Sequence, residues 1–176
     1  SSGQRLYAVM HDTSAIDIAY TTDLGATAWT APASLQGMTG KLRDVGQFFD
    51  TDETARNVIL TETHLFWLDE TNNALVTLYN LPFRGHAIQP FRVNDQVALL
   101  IFMDGGRVHA YLPSGVVLDI SPGGAQGMPS GKDLGPATEG MTCLAATGQY
   151  VYAGFSGLDT AGSNQKPFIL AFDGHV

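Results

Sequence analysis

Residues 97–103 read Val-Ala-Leu-Leu-Ile-Phe-Met, an apolar run without a single polar side chain. Successive side chains of a β-strand point to opposite faces, so a strand of this composition needs other layers on both of its sides. Residues 104–106, Asp-Gly-Gly, follow the run and are typical of a hairpin turn. The stretch therefore predicts a strand that is covered on both faces by further sheets.

Short apolar runs of the same kind recur along the chain, separated by turns that contain many of its 20 glycines and 8 prolines. Their β-branched and aromatic content favours strands. Residues 52–68 could instead form a helix with one apolar face, but their threonines and β-branched residues and the turn at 69–73 favour strands. The predicted strands span residues 6–11, 16–22, 45–49, 57–61, 64–69, 74–79, 88–93, 97–103, 108–112, 116–120, 141–146, 150–155 and 167–172.

The strands repeat in groups, and the most apolar strand of each group begins at Leu6, Val58, Val97 or Val151. These starts are 52, 39 and 54 residues apart, and a full group has strands that we label A to D. Four-stranded units recurring every ~40–50 residues are typical of β-propeller blades. We therefore predict an all-β fold, a β-propeller segment of about three and a half four-stranded blades, with a β-sandwich as the alternative.

The blades are predicted at about residues 5–32, 43–80, 88–120 and 141–176 of one domain, or of a fragment of one. The first group lacks an A strand and the last group lacks a D strand. We therefore expect a ring of about six to eight blades, completed by further blades or by other chains. The mass of the source polypeptide tests this expectation.

The composition argues against several classes of partner. The chain has 176 residues, a net charge of −8 and 15% charged side chains, so its field repels phosphate backbones and anionic lipid. No apolar run reaches the ~20 residues that a membrane-spanning helix needs. Cys143 is the single cysteine, which excludes an internal disulfide. We therefore expect no nucleic-acid partner and no membrane insertion.

Residues 21–29 contain a motif in which Thr21, Asp23, Gly25, Thr27 and Trp29 are spaced for a compact turn. Asp23 can accept hydrogen bonds from the turn amides, Gly25 can adopt a positive φ, and Trp29 can pack the turn against its sheet. The motif resembles the Asp-box, or BNR repeat, of sialidase-like propellers, with the aromatic residue one position late. The resemblance implies a structural turn between strands C and D, away from the active face.

Residues 168–175 resemble a blade strand with its turn, as found in many propellers, including phage-tail and other virion proteins. This resemblance implies a setting in a virion or tail assembly, and an extracellular or virion-surface location.

Catalytic and metal motifs are weak in this sequence. A sialidase-like site would need several arginines and an acid, for which Arg43, Arg84, Arg92, Glu139 and Asp12 are candidates, but no motif supports them. Residues 154–158 lack the last glycine of a nucleophile elbow. The acidic turn at 50–53 lacks the glycine of a calcium loop. We therefore predict no catalytic residue, no metal and no cofactor.

Loop length points to one functional surface. In a propeller the D-to-A and B-to-C connections emerge on one face, and this rule places the two longest, at 121–140 and 156–166, together. Residues 11–12, 34–41 and 82–86 would lie beside them. Long loops on a rigid scaffold often carry binding residues. The candidate binding residues are His11, Asp12, Arg84, His86, Lys132, Asp133, Glu139, Asp159 and Asn164.

These observations favour a non-enzymatic recognition or scaffold module that binds a glycan or a protein partner through its long-loop face. A sialidase-like glycoside hydrolase is the alternative, suggested by the Asp-box resemblance and requiring acids at the mouth of the ring. In a third hypothesis the blades are spacers within an oligomer.

Overall fold

The computed structural model describes residues 5–12, 15–23, 28–121, 141–155 and 168–174. The fold is all-β, with four small antiparallel sheets, and the described residues contain two 3₁₀ turns and no α-helix. In this part of the chain, no helix has the length and apolarity needed to cross a membrane.

Each sheet is a meander in which neighbouring strands follow one another in the sequence. The first sheet contains β1 (Leu6–His11), β2 (Ala15–Thr21) and β3 (Met38–Thr39). The second contains β4 (Leu42–Phe49), β5 (Ala55–Thr61), β6 (His64–Asp69) and β7 (Ala74–Asn80). The third contains β8 (Gly85–Val93), β9 (Gln96–Met103), β10 (Arg107–Tyr111) and β11 (Val117–Asp119). The fourth contains β12 (Met141–Ala146), β13 (Val151–Phe155) and β14 (Phe168–Phe172).

The sequence predictions for secondary structure are confirmed, with one omission. Every predicted strand corresponds to a strand of the structure, and the helix considered for residues 52–68 is wrong because β5 and β6 occupy them. The missed strand, β3, has only two residues. The four sheets differ from the two packed sheets of a sandwich, and no closed ring is detected in the described residues.

Strand β9 is covered on both faces, as its sequence predicts. Leu99 and Ile101 belong to a buried cluster with Val58 of the second sheet, whereas Leu100 belongs to a cluster with Val151 of the fourth. Every residue from position 98 to 103 of β9 is at most 2% exposed. Alternate side chains of one strand therefore stabilise two sheet interfaces.

Strand β5 has the same two-sided role in the second sheet. Val58 and Leu60 contribute to the cluster shared with the third sheet, and Ile59 packs in the cluster formed with Ile16 and Ile18 of the first sheet. The four sheets are thus stacked face to face in sequence order.

The first strands of the second, third and fourth sheets lie next to one another, because β8 contacts both β4 and β12. The Ile88 amide of β8 donates a 2.9 Å hydrogen bond to Asp44 Oδ2 of β4. A Cβ at Gly46 would lie 3.2 Å from Ile88 Cδ1, so glycine permits the close approach of these two strands. The A strands therefore share one side of the stack.

The connections between strands emerge at two opposite ends of the stack, because successive strands are antiparallel. We call the end with the β3–β4, β5–β6, β7–β8 and β9–β10 connections the link end. We call the opposite end, with the β4–β5, β6–β7, β8–β9 and β12–β13 hairpins, the hairpin end.

A buried histidine lies between the second and third sheets. His109 of β10 is 8% exposed, and its Nδ1 lies 2.8 Å from the Tyr79 hydroxyl of β7. Burial and the charge of Arg107 lower the pKa of His109 below its ordinary value of 6.5, and the Asp119 carboxylate opposes the shift only in part. The folded chain therefore binds a proton at His109 less readily than the unfolded chain.

We expect this histidine to make folding stability depend on pH in the mildly acidic range. The stabilisation by neutral His109 is complete above pH ~6.5 and decreases as the pH falls below that value, because only the unfolded chain takes up the proton easily. His109→Gln should flatten the fall in the free energy of unfolding between pH ~7 and ~5, measured by urea denaturation. Tyr79→Phe retains the histidine and should keep the slope; an unchanged slope in His109→Gln would contradict the prediction.

Candidate functional site

Backbone hydrogen bonds hold the connections of the link end against one another. The Glu62 amide donates to the Lys41 carbonyl at 3.1 Å, and the Gly85 amide donates to the Glu62 carbonyl at 2.9 Å. The Asp104 amide donates to the Arg84 carbonyl at 2.9 Å. Connections from the second and third sheets therefore form one continuous surface.

Arg84, His86 and Asp104 form a polar cluster on this surface. The Asp104 carboxylate accepts hydrogen bonds from His86 Nε2 at 2.5 Å and from Arg84 Nη2 at 3.3 Å. Arg84 Nε lies 3.1 Å from Asp104 Oδ2 without hydrogen-bond geometry, so this contact is an ion pair. The Asp104 and His86 side chains are each 8% exposed, whereas the Arg84 side chain is 39% exposed. The cluster thus holds a partly exposed arginine side chain, whose Nε is buried, against a buried Asp–His pair.

Local sequence explains how these side chains meet. Gly85 separates the arginine from the histidine, and its ideal Cβ would lie 2.9 Å from the Thr61 carbonyl oxygen. A larger residue there would push the connection away from β5. The β8–β9 register shifts between Gly85 and Ala87, so His86 lies at a β-bulge. Bulges redirect side chains at the ends of strands.

An aromatic side chain and a second cation lie at the same end of the stack. The guanidinium carbon of Arg107 lies 4.3 Å from the centroid of the Phe83 ring, which is a cation–π distance. Phe83 is 36% exposed. The link end therefore combines an exposed aromatic ring with two arginines, a chemistry that suits recognition of a polar partner.

The neighbouring ion pair joins Arg43 to Glu62. Burial opposes ionisation of Glu62, but the hydrogen bond from Arg43 and the charges of Arg43, Lys41 and Arg84 lower its pKa. Glu62 is therefore an ionised partner of arginine.

The structure brings two of the predicted binding residues together, Arg84 and His86. His11 ends β1, and Asp12 lies in the β1–β2 connection, where Asp12 Oδ1 accepts a 2.9 Å hydrogen bond from the Ala15 amide. These two residues belong to the first sheet, whereas the Arg84 cluster joins the β7–β8 and β9–β10 connections. The remaining predicted binding residues, Lys132, Asp133, Glu139, Asp159 and Asn164, lie outside the described residues.

The described part of the Asp-box-like motif is a local turn. The Thr21 hydroxyl donates to Asp23 Oδ1 at 2.5 Å, and reciprocal backbone hydrogen bonds pair Tyr20 with Thr30 at 2.8 and 2.9 Å. Trp29 is 43% exposed. Gly25 and Thr27 lie outside the described residues.

Two further candidates for catalysis or metal binding, Arg43 and the acidic turn at Asp50, have structural partners, whereas Arg92 is exposed at the end of β8 and Glu139 lies outside the described residues. Arg43 pairs with Glu62, as above, and Asp50 accepts hydrogen bonds from the Asp52 and Thr54 amides and from Arg56. Within the described ranges, no three His, Cys, Asp or Glu side chains gather as metal ligands would. The acidic turn at 50–53 is a closed hairpin turn.

The sequence prediction omits two residues of this surface, Asp104 and Arg107. Asp104 is predicted only as part of an ordinary hairpin turn, and it lies 18 residues from His86 and 20 from Arg84. Asp104 directly follows the buried strand β9, and it lies at the same end of the stack as residues 82–86. This position is the one sequence signal that places Asp104 near Arg84 and His86.

Comparison of the chain with protein-family models and with curated proteins finds no match.

Proposed function

We propose that the chain is a β-propeller segment that serves as a non-enzymatic recognition module. The propeller interpretation is supported by four successive meander sheets stacked face to face, with the A strands β4, β8 and β12 side by side. Radial repetition of small sheets with adjacent inner strands is the arrangement of propeller blades. The Asp-box-like turn at Thr21 and Asp23 adds to this proposal through its resemblance to sialidase-like propellers.

The recognition surface is the link end, and its partner is a glycan or a protein. The observation that carries this proposal is the cluster of Arg84, His86 and Asp104, which fixes a partly exposed arginine side chain at the end of the stack that also carries Phe83 and Arg107. By the alternation of connections, the long segments 121–140 and 156–166 start from the same end as this cluster. A module in a virion or tail assembly is the form of this function that the resemblance of residues 168–175 suggests.

A glycan array and a pull-down with the immobilised chain as bait test the proposal. Replacing both long segments with short glycine-containing turns should leave the thermal unfolding transition intact and abolish the binding signals. Arg84→Ala should weaken the same signals at least tenfold, while Val76→Ala, a change at an exposed position of β7, serves as the matched control. Unchanged binding in the variant without the two segments would refute the proposal.

The glycoside-hydrolase alternative needs carboxylates that can act as acid, base or nucleophile. At the link end, Glu62 and Asp104 each bind an arginine. A panel of chromogenic glycosides distinguishes the two functions. Turnover of any of these glycosides by the purified chain would show a hydrolase and would contradict the non-enzymatic recognition module.

A further inference from the structure

A cleft lies at the hairpin end, opposite the Arg84, His86 and Asp104 cluster. It has a volume of about 560 Å³ and lies between the third and fourth sheets, where the β8–β9 hairpin meets the β12–β13 hairpin and the residues that follow β14. Small-molecule sites typically have volumes of about 300–1,000 Å³. The cleft is therefore large enough for a ligand of several rings.

The walls of the cleft are held by hydrogen bonds of the protein itself. The Asn94 amide donates to the Gly174 carbonyl at 2.9 Å, which ties the β8–β9 hairpin to the fourth sheet. Gly174 has φ +89°, and a Cβ there would lie 2.4 Å from the Arg92 carbonyl oxygen, so only glycine fits this contact. On the other wall, the Thr147 hydroxyl accepts a 3.0 Å hydrogen bond from the Tyr150 amide. A cleft with fixed walls loses little conformational entropy when a ligand binds.

Aromatic side chains contribute the apolar part of the lining. Tyr150 is 41% exposed at the cleft, and its ring centroid lies 5.9 Å from that of Tyr152. The half-buried ring of Phe91 also lines the cleft and packs 6.0 Å from the ring of Phe172. The cleft lining thus contains a tyrosine, with an apolar ring face and a polar hydroxyl, and a second aromatic ring that is packed against its neighbour.

The polar part of the lining carries both donors and acceptors. Arg92, Asp95 and Gln149 are exposed and line the cleft, so its lining contains a guanidinium, a carboxylate and an amide as well as the aromatic side chains. Asp173 adds a second carboxylate. These acidic side chains outnumber the single arginine in a chain of net charge −8, so the local field opposes an anionic ligand.

We propose that this cleft binds a neutral saccharide. A sugar ring has an apolar face of C–H groups, which packs against an aromatic ring, and a rim of hydroxyl groups, which both donate and accept hydrogen bonds. Tyr150 and Phe91 supply the aromatic surface, and Arg92, Asp95 and Gln149 supply the polar partners. The site is independent of the recognition surface at the link end.

Titration of the ¹⁵N-labelled 176-residue chain, followed by amide NMR spectra, tests the proposal. The neutral probes are lactose, maltotriose and chitotriose, and sialyllactose is the anionic comparison. We expect saturable shifts at the amides of Asp95, Gln149 and Tyr150 with at least one neutral probe, and weaker binding of sialyllactose than of lactose. The absence of saturable shifts at these amides with all three neutral probes, or tighter binding of sialyllactose, would overturn the proposal.

Variants of the lining residues test which side chains contribute to the affinity. Tyr150→Ala should lower the affinity for the tightest-binding neutral probe at least tenfold, and Gln149→Ala should lower it severalfold. Val76→Ala changes an exposed side chain of β7 that lies outside the cleft and outside the Arg84 cluster, and it should leave the affinity within a factor of about two. If Tyr150→Ala fails to fold, Gln149→Ala alone tests the site. Unchanged affinity in the cleft variants that fold would refute this saccharide site, and the proposal for the link end would stand unaffected.

Discussion

Leu100→Ala should lower the free energy of unfolding by about 2–5 kcal/mol, because truncation of a buried leucine removes apolar contacts and leaves a cavity. Leu100 is 0% exposed in β9, within the cluster that joins the third sheet to Val151 and Ala153 of the fourth. The strand is packed on its other face by the second sheet, so it cannot move to fill the cavity. Urea denaturation followed by circular dichroism measures the loss.

Val97→Ala is the matched control, because Val97 lies in the same strand and is 41% exposed. This variant should lose less than about 1 kcal/mol, the range of strand propensity at exposed positions. Equal losses in the two variants would contradict the assignment of Leu100 to a closed interface between two sheets.

Asp104→Ala should lower the free energy of unfolding by about 1–3 kcal/mol, because it removes the acceptor for a buried side chain. The His86 ring, with a side chain 8% exposed, would lose its hydrogen bond at Nε2. Arg84 would also lose its carboxylate, but its side chain is 39% exposed and water can replace part of the interaction. The thermal unfolding midpoint should fall by ~2–4 °C for each kcal/mol lost.

Glu62→Ala removes a carboxylate from a comparable arginine pair in which the glutamate side chain is 25% exposed. Its cost should stay below about 1 kcal/mol, as for other solvent-exposed ion pairs. A loss in Glu62→Ala as large as that in Asp104→Ala would show that burial of the Asp–His pair adds nothing to stability.

Most of the strands could be predicted because their signals are local. The run at 97–103 is apolar at every position, and turn residues separate the short strands around it. The strand boundaries can therefore be predicted to within a few residues. Strand β3 has no such signal, since Met38–Thr39 is defined only by its pairing with Ala15 and Ile16 of β2. The local sequence of a segment does not specify which distant segment it pairs with.

Part of the candidate site could likewise be predicted from local sequence, and part could not. Alternation of connections along antiparallel strands was enough to place Arg84 and His86 at one end of the stack. The partner that holds them, Asp104, comes from the next connection of the third sheet, and its hydrogen bond to His86 depends on the bulge at the start of β8. The cleft at the hairpin end depends likewise on the contact of Gly174 with Asn94, which joins two sheets.

The sequence by itself determined the all-β fold, the grouping of strands and the need to cover β9 on both faces. Side-chain alternation and turn chemistry act over a few residues, so both patterns can be recognised in the amino-acid sequence alone. Only the tertiary structure decided which connections touch, which carboxylate Arg84 and His86 share, and where two hairpins enclose a cleft. Those outcomes depend on how four twisted sheets pack against one another, because the distances between their ends are set by the whole stack of buried side chains.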